Sequence, residues 1–254
     1  MLLRLDPASP WPVLVGAIRD EFVERAWDPP ARHWSGPWEG FVGGRDRTAG
    51  GTWLAVDPAP GRPAVAALLN GAPRGPQPDG APRPTRGDLA LRLLAGDGVP
   101  LGDELAPYDR FHLLLATSGE AALWTWDGEH LEHLILGGPH HIIVNAGPDA
   151  TTDALVPHFG RLLGSAAEPS GDGSDWGGWP LLLAGDGLPG DDERALIVDK
   201  EIEGRSYGST SGSLVTIGSD GRLRYAFTPR PIDPSSWSPV DPCATPVGPG
   251  GAAP

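Results

Sequence analysis

Short apolar runs broken by Gly, Pro, Asp and Ser fill the chain, and few are long enough to be helices. Leu2–Leu5 and Val13–Ala17, parted by Asp-Pro and Ser-Pro-Trp, predict two strands and a turn. A polar loop is expected over Trp27–Pro30 and on to His33-Trp34. The pair Gly50-Gly51 opens a strand running to Val56, and Pro63–Leu69 predicts another that ends at Asn70-Gly71. From Ala72 to Thr85 there are five prolines and no apolar period, which predicts an exposed loop. Asp88 is placed to cap a short helix over Leu89–Ala95, with Leu89, Leu93 and Leu94 on one face.

The second half alternates strands and turns. Phe111–Ala116, Ala121–Trp126, Leu131–Leu136 and His140–Asn145 read as a meander. Thr151–Leu163 has helical spacing with a kink expected at Pro157, and Leu181–Ala184 and Arg194–Asp199 read as shorter helical pieces. Tyr207–Ile217 and Arg222–Phe227 predict a hairpin turning on Ser219-Asp220-Gly221. Many strands, few helices and no regular βαβ alternation predict an α+β fold. We expect one domain over residues 1–238, and a disordered Pro/Gly-rich tail over 239–254.

Composition narrows the partners. A formal charge of −14 disfavours nucleic acid and anionic membrane surfaces, which repel an acidic protein. No apolar run reaches the length of a membrane span, and the N-terminus has no secretory pattern, so a cytoplasmic location is expected. A single cysteine allows no internal disulfide and no Cys-rich zinc site. Lys200 is the sole lysine among 19 basic residues, a usage that GC-rich bacterial genes produce.

Several residues carry candidate chemistry. Arg19-Asp20-Glu21 follow an apolar strand, where an arginine and a carboxylate can orient a reacting group; a solvated turn fits the spacing as well. Asn70 and Asn145 each end an apolar strand, as turn formers do, yet their amides can also donate to an oxyanion. His130 and His133 would point to opposite faces of a strand, as would His140 and His141, so no metal site is expected. Cys243 has no base or cation beside it and is not expected to be catalytic. The P-loop, G-x-S-x-G and H-E-x-x-H motifs are absent.

Together these blocks resemble one family. Ile18-Arg19-Asp20-Glu21-Phe22 with Arg25, Gly44-Arg45-Asp46, Gly50–Val56, Asn70 and Arg86–Leu89 occur in the order of the NRDE family, also called the transport and Golgi organization protein 2 family. Phe111–Leu114, Val144-Asn145-Ala146 and Tyr207–Thr210 continue the likeness. The resemblance implies an N-terminal-nucleophile-hydrolase-like αββα sandwich of two stacked antiparallel sheets. It also implies hydrolysis of an amide C–N bond by an N-terminal Cys whose own amine is the base. Arg19 and Asp20 would hold that nucleophile, with Asn70 and Asn145 on the oxyanion side. The same likeness carries an alternative, a non-catalytic haem or lipid carrier. The expected ligand is thus a small amide needing no cofactor, or a haem-like molecule.

Three positions depart from the family pattern. Ile18 replaces a leading Asn, Thr210 replaces an Arg, and Leu2 stands where the nucleophile is expected. The family's Met-Cys-Thr-Val start aligns its valine with Met1, which gives the expectation of a start three codons upstream.

Overall fold

The computed structural model describes residues 1–75 and 83–243. Its strands lie in two sheets, and every pairing is antiparallel. The first sheet runs β11 (Gly147–Pro148), β10 (His140–Val144), β1 (Leu2–Leu5), β2 (Val13–Phe22), β13 (Arg205–Ile217), β14 (Leu223–Thr228) and β15 (Ser238–Val240). A short strand, β12 (Asp199–Ile202), also pairs with β13. The second sheet follows chain order: β3 (Trp27–Ala31), β4 (Val42–Asp46), β5 (Leu54–Asp57), β6 (Ala64–Asn70), β7 (Phe111–Thr117), β8 (Ala121–Trp126) and β9 (Leu131–Ile135).

The layering follows from strands that are apolar on both faces. Successive side chains of a strand point to opposite faces, so Leu3, Val13 and Val15 enter the core between the sheets, with Val42, Leu54 and Leu114 opposite. Their neighbours Leu2 and Leu14 face outward, under α2 (Leu155–Ser165) and α3 (Trp179–Leu183), against Phe159, Leu163 and Trp179. On the far side, Leu89, Ala90 and Leu93 of α1 (Leu89–Ala95) cover Ala66, Phe111 and Leu113 of the second sheet. The result is the expected α+β sandwich, helix over sheet over sheet over helix.

Several elements differ from expectation, each for a physical reason. Arg19-Asp20-Glu21 do not follow a strand but lie within β2, because β13 keeps pairing with it as far as Phe22. Trp27–Ala31 is a strand rather than a loop; it tolerates Pro29 and Pro30 because it is an edge strand whose pairing skips between Asp28 and Ala31. Asp88 sits at the start of α1 but makes no capping bond, having helical dihedrals itself (φ −84°, ψ −18°). Pro157 causes no kink, since α2 begins at Leu155 and the ring falls in its first turn. Arg194–Val198 is not helical: Ala195, Leu196 and Ile197 are buried in an irregular approach to β12. His140–Val144 leaves the meander to join the first sheet beside β1. The segment expected as a tail from Pro239 opens within a strand, because Ser238–Val240 pairs with β14. Residues 76–82 of the proline-rich loop and 244–254 of the tail lie outside the described residues.

Candidate functional site

The site arises where β1 begins. β1 is flanked by β10 and β2, and β2 runs on well past the start of β1 alongside β13. Met1 is locked at this point: its amine donates to the Ile143 carbonyl (2.9 Å), and the Ile143 amide donates back to Met1 (2.9 Å). Beyond it, a cavity of about 500 Å³ opens between the ends of the two sheets. Arg19 and Asp20 of β2, Asn70 at the end of β6 and Asn145 just after β10 all line this cavity together with Met1. The four residues singled out in the sequence therefore share one wall system.

Arg19 is held on three sides. Its Nη1 donates to Thr210 Oγ1 (2.8 Å), and its Nη2 lies 3.5 Å from the Asp46 carboxylate. Its guanidinium also covers the Trp53 ring at 4.7 Å, a cation–π contact. Thr210 fits here because the β2–β13 register shifts between Ser209 and Ser211, a bulge that turns the side chain toward Arg19. Where the family pattern has a cation on β13, this chain has a hydroxyl that accepts a bond from a cation on β2. Gly44 makes room for the platform: a Cβ there would lie 2.3 Å from the Trp53 ring.

Asp46 ties two arginines together. Arg25 Nε donates to it at 2.5 Å, and the backbone amides of Thr48 and Ala49 donate at 2.9 Å. Burial works against its charge, but these donors win and hold the carboxyl below its ordinary range.

Asp20 is governed by the opposite balance. Burial raises its pKa, opposed by the Ser209 hydroxyl, which donates to it at 2.5 Å, and by the charges of the Met1 amine, Lys200 and Arg19. Ser209 is itself fixed, accepting a bond from the Val198 amide at 2.9 Å. The Met1 amine is pulled the other way: burial lowers it to about 6, while Asp20 and Asp153 resist. An amine at this point is therefore largely neutral at neutral pH and able to accept a proton.

Asn70 and Asn145 are exposed to the cavity, and among the described residues neither side-chain amide has a protein partner. The Asn145 backbone is nevertheless anchored across the sandwich. His112 of β7, itself buried, donates from Nε2 to the Asn145 carbonyl (3.3 Å), leaving Nδ1 to accept from Thr125 Oγ1 (3.0 Å). Burial lowers the His112 pKa, with the Asn145 bond opposing.

Asp46, Ser209 and His112 thus act at the site without having been picked out as site residues. All three stand in blocks that carry the family likeness, Gly44–Asp46, Tyr207–Thr210 and Phe111–Leu114, but Ser209 and His112 read there as ordinary strand residues. The remaining histidines stand elsewhere: His133 stacks on Trp124 (4.4 Å), and His141 and His158 pair with Asp149 (2.7 Å) and Asp186 (2.9 Å). Among the described residues no three His, Cys, Asp or Glu side chains cluster as metal ligands, and Cys243 is exposed.

Two antiparallel sheets packed between helical layers, with a polar cavity at the start of a central strand, have the layout of the N-terminal-nucleophile-hydrolase-like αββα fold. The particular family follows from its sequence: a family model, Transport and Golgi organisation 2, matches residues 1–151, and the chain belongs to that family. The match spans Arg19, Asp20, Asn70 and Asn145, whereas Ser209 and Thr210 lie outside it. No curated protein matches the chain. No helix among the described residues is long and apolar enough to cross a membrane.

Proposed function

We propose that this protein is an amide hydrolase of the N-terminal-nucleophile type, cleaving the C–N bond of a small acyl amide in the cavity at the start of β1. The strand register carries the proposal. Leu2 pairs with Gly16 and with Ile142, so a residue two places ahead of Met1 on the same ladder faces Arg19 on one side and Asn145 on the other. It would also share Met1's face, which looks between the sheets. A cysteine there meets the polar groups its chemistry needs.

In that arrangement the thiol gives its proton to its own α-amine, and the sulfur attacks the amide carbonyl. The Asn70 and Asn145 amides donate to the oxyanion. The C–N bond breaks as the leaving nitrogen takes the proton from the ammonium, and water then hydrolyses the thioester. Asp20, set by Ser209, and Arg19, set by Asp46 and Trp53, hold the nucleophile's end of the cavity. The setting we propose is a reducing bacterial cytoplasm, which keeps such a thiol free.

The haem-carrier alternative is less well served by these walls. Among the described lining residues there is no imidazole and no thiolate; the sulfur present is the Met1 thioether, packed in the inter-sheet core. Tyr207, also in the wall, has its phenol pushed up to about 12 by burial and by the charges of Asp20 and Glu21, which disfavours a phenolate ligand.

The test is a chain carrying Cys-Thr ahead of Met1. Incubation with a β-lactam or an activated acyl amide should add one acyl group at that cysteine, seen by mass spectrometry, and Asn145→Ala should slow the addition. A folded extended chain whose cysteine reacts no faster than Cys243 would sink the hydrolase reading. A stoichiometric Soret shift on adding haem to the chain would favour the carrier instead.

A further inference from the structure

Four cations line the cavity, and three have an evident charge to serve. Arg19 and Arg25 share Asp46 at 3.5 and 2.5 Å, and Lys200, opposite Tyr207 on the β12–β13 ladder, adds its charge to the field at Asp20. Arg86 is different. It is half-buried, and its Nη1 donates to a backbone carbonyl, that of Arg110, at 2.7 Å. Among the described residues no carboxylate lies within ion-pair distance of it.

The carboxylates whose fields reach Arg86 are already engaged. Asp109 lies within ion-pair distance of Arg83 (2.8 Å), and Glu21 lies 3.6 Å from Arg25 while accepting the Phe22 amide at 2.8 Å. Burial lowers the Arg86 pKa, with Asp109 and Glu21 opposing, yet a guanidinium remains charged at any physiological pH. An arginine offers five N–H donors, and among the described residues one hydrogen bond to a protein acceptor is made.

Arg86 also has a defined neighbour. The Arg110 carbonyl that it bonds accepts as well from the Gly71 amide at 2.9 Å, and Gly71 directly follows Asn70. One carbonyl therefore brings the Arg86 guanidinium beside the end of β6, where the Asn70 amide faces the cavity. We propose that Arg86 is the anchor for a carboxylate on the ligand, so that this cavity takes small acyl amides that carry a carboxylate group. A planar guanidinium with unused parallel donors matches a carboxylate, and an adjacent amide adds a further donor.

This rests on the hydrolase reading for the amide part of the ligand, but its test needs no nucleophile. N-benzoylglycine and its neutral carboxamide, N-benzoylglycinamide, are titrated calorimetrically into the chain as it stands. The charged probe should bind tighter by about tenfold or more, as expected for charge-assisted hydrogen bonds. Arg86→Gln should erase the difference between the two probes, and Arg86→Lys should restore part of it. Equal affinity for the two probes, or no binding of either, overturns the proposal; so does a preference kept in Arg86→Gln but lost in Lys200→Gln. If Arg86→Gln fails to fold, the native comparison and Arg86→Lys still decide. A clear preference for the charged probe, with no acylation of the extended chain, would keep the anchor and reject the hydrolase.

Discussion

Gly51 is where the loop bearing Arg86 is pinned to the second sheet, and Gly51→Ala tests that pin. A Cβ at Gly51 would lie 2.2 Å from the Gly87 carbonyl carbon, 2.4 Å from its oxygen and 2.6 Å from its Cα. Every atom met is backbone, so no flexible side chain can yield. Reaching the 3.4 Å of an ordinary contact requires the two segments to part by about 1.2 Å. The bond from the Thr52 amide to the Gly87 carbonyl, now 2.7 Å, would then be lost. Thr52 is buried, so its amide would be stranded, costing about 1–3 kcal/mol. Overpacking adds about 1–3 kcal/mol. At about 2–4 °C per kcal/mol for a domain near this size, the melting temperature should fall by on the order of 10 °C. Gly119→Ala is the control, since nothing lies within 4 Å of its Cβ position. Calorimetry on the two variants decides: a Gly51→Ala chain melting within about 2 °C of the native one would refute the packing argument. A folded Gly51→Ala chain should also lose preference for N-benzoylglycine, because Arg86 adjoins the displaced residue.

Two further outcomes follow from other parts of the molecule. Gly160 lies exposed inside α2 with open space around its Cβ position, so Gly160→Ala should raise stability by about 0.5–1 kcal/mol in urea titrations; a loss would show that the helix needs the glycine. His112 has a folded pKa below its ordinary 6.5, so as pH falls through that range the unfolded chain binds the extra proton and stability drops. Urea midpoints at about pH 7.5 and about pH 5 should therefore differ more for the native chain than for His112→Asn, and an equal difference would remove His112 from the account.

The layers of the fold were legible because its strands are simple. Leu2-Leu3 and Val13-Leu14-Val15 are unbroken apolar pairs and triplets, and short runs of this kind between Pro and Asp breakers fit strands buried on both faces. What misled was polarity and proline. Arg19-Asp20-Glu21 looked like the end of β2 because three charges seldom continue a strand, and only the long partner β13, 191 residues away at the Arg19–Thr210 contact, keeps that segment extended. Pro29-Pro30 looked like a loop because sequence does not reveal which strand will lie at an edge, where missing amide donors cost nothing. The sheet switch at His140 was invisible for a related reason: its partner β1 is at the other end of the matched family region.

The candidate residues that share the cavity were legible in the sequence but their supports were not, and the difference is one of distance along the chain. Arg19, Asp20, Asn70 and Asn145 stand in recognisable blocks, and the cavity does gather them. What sets three of them is remote: Asp46 and Thr210 for Arg19, Ser209 for Asp20, and His112 for the backbone of Asn145. These supports come from β4, β13 and β7, so Arg19 and Asn145 are positioned only when both sheets are in register. The cavity is then a product of how the sandwich closes rather than of any single loop. That is why a change such as Gly51→Ala, at a residue that does not itself line the cavity, is expected to disturb ligand preference and stability together, whereas Gly160→Ala on the outer helix is expected to move stability alone.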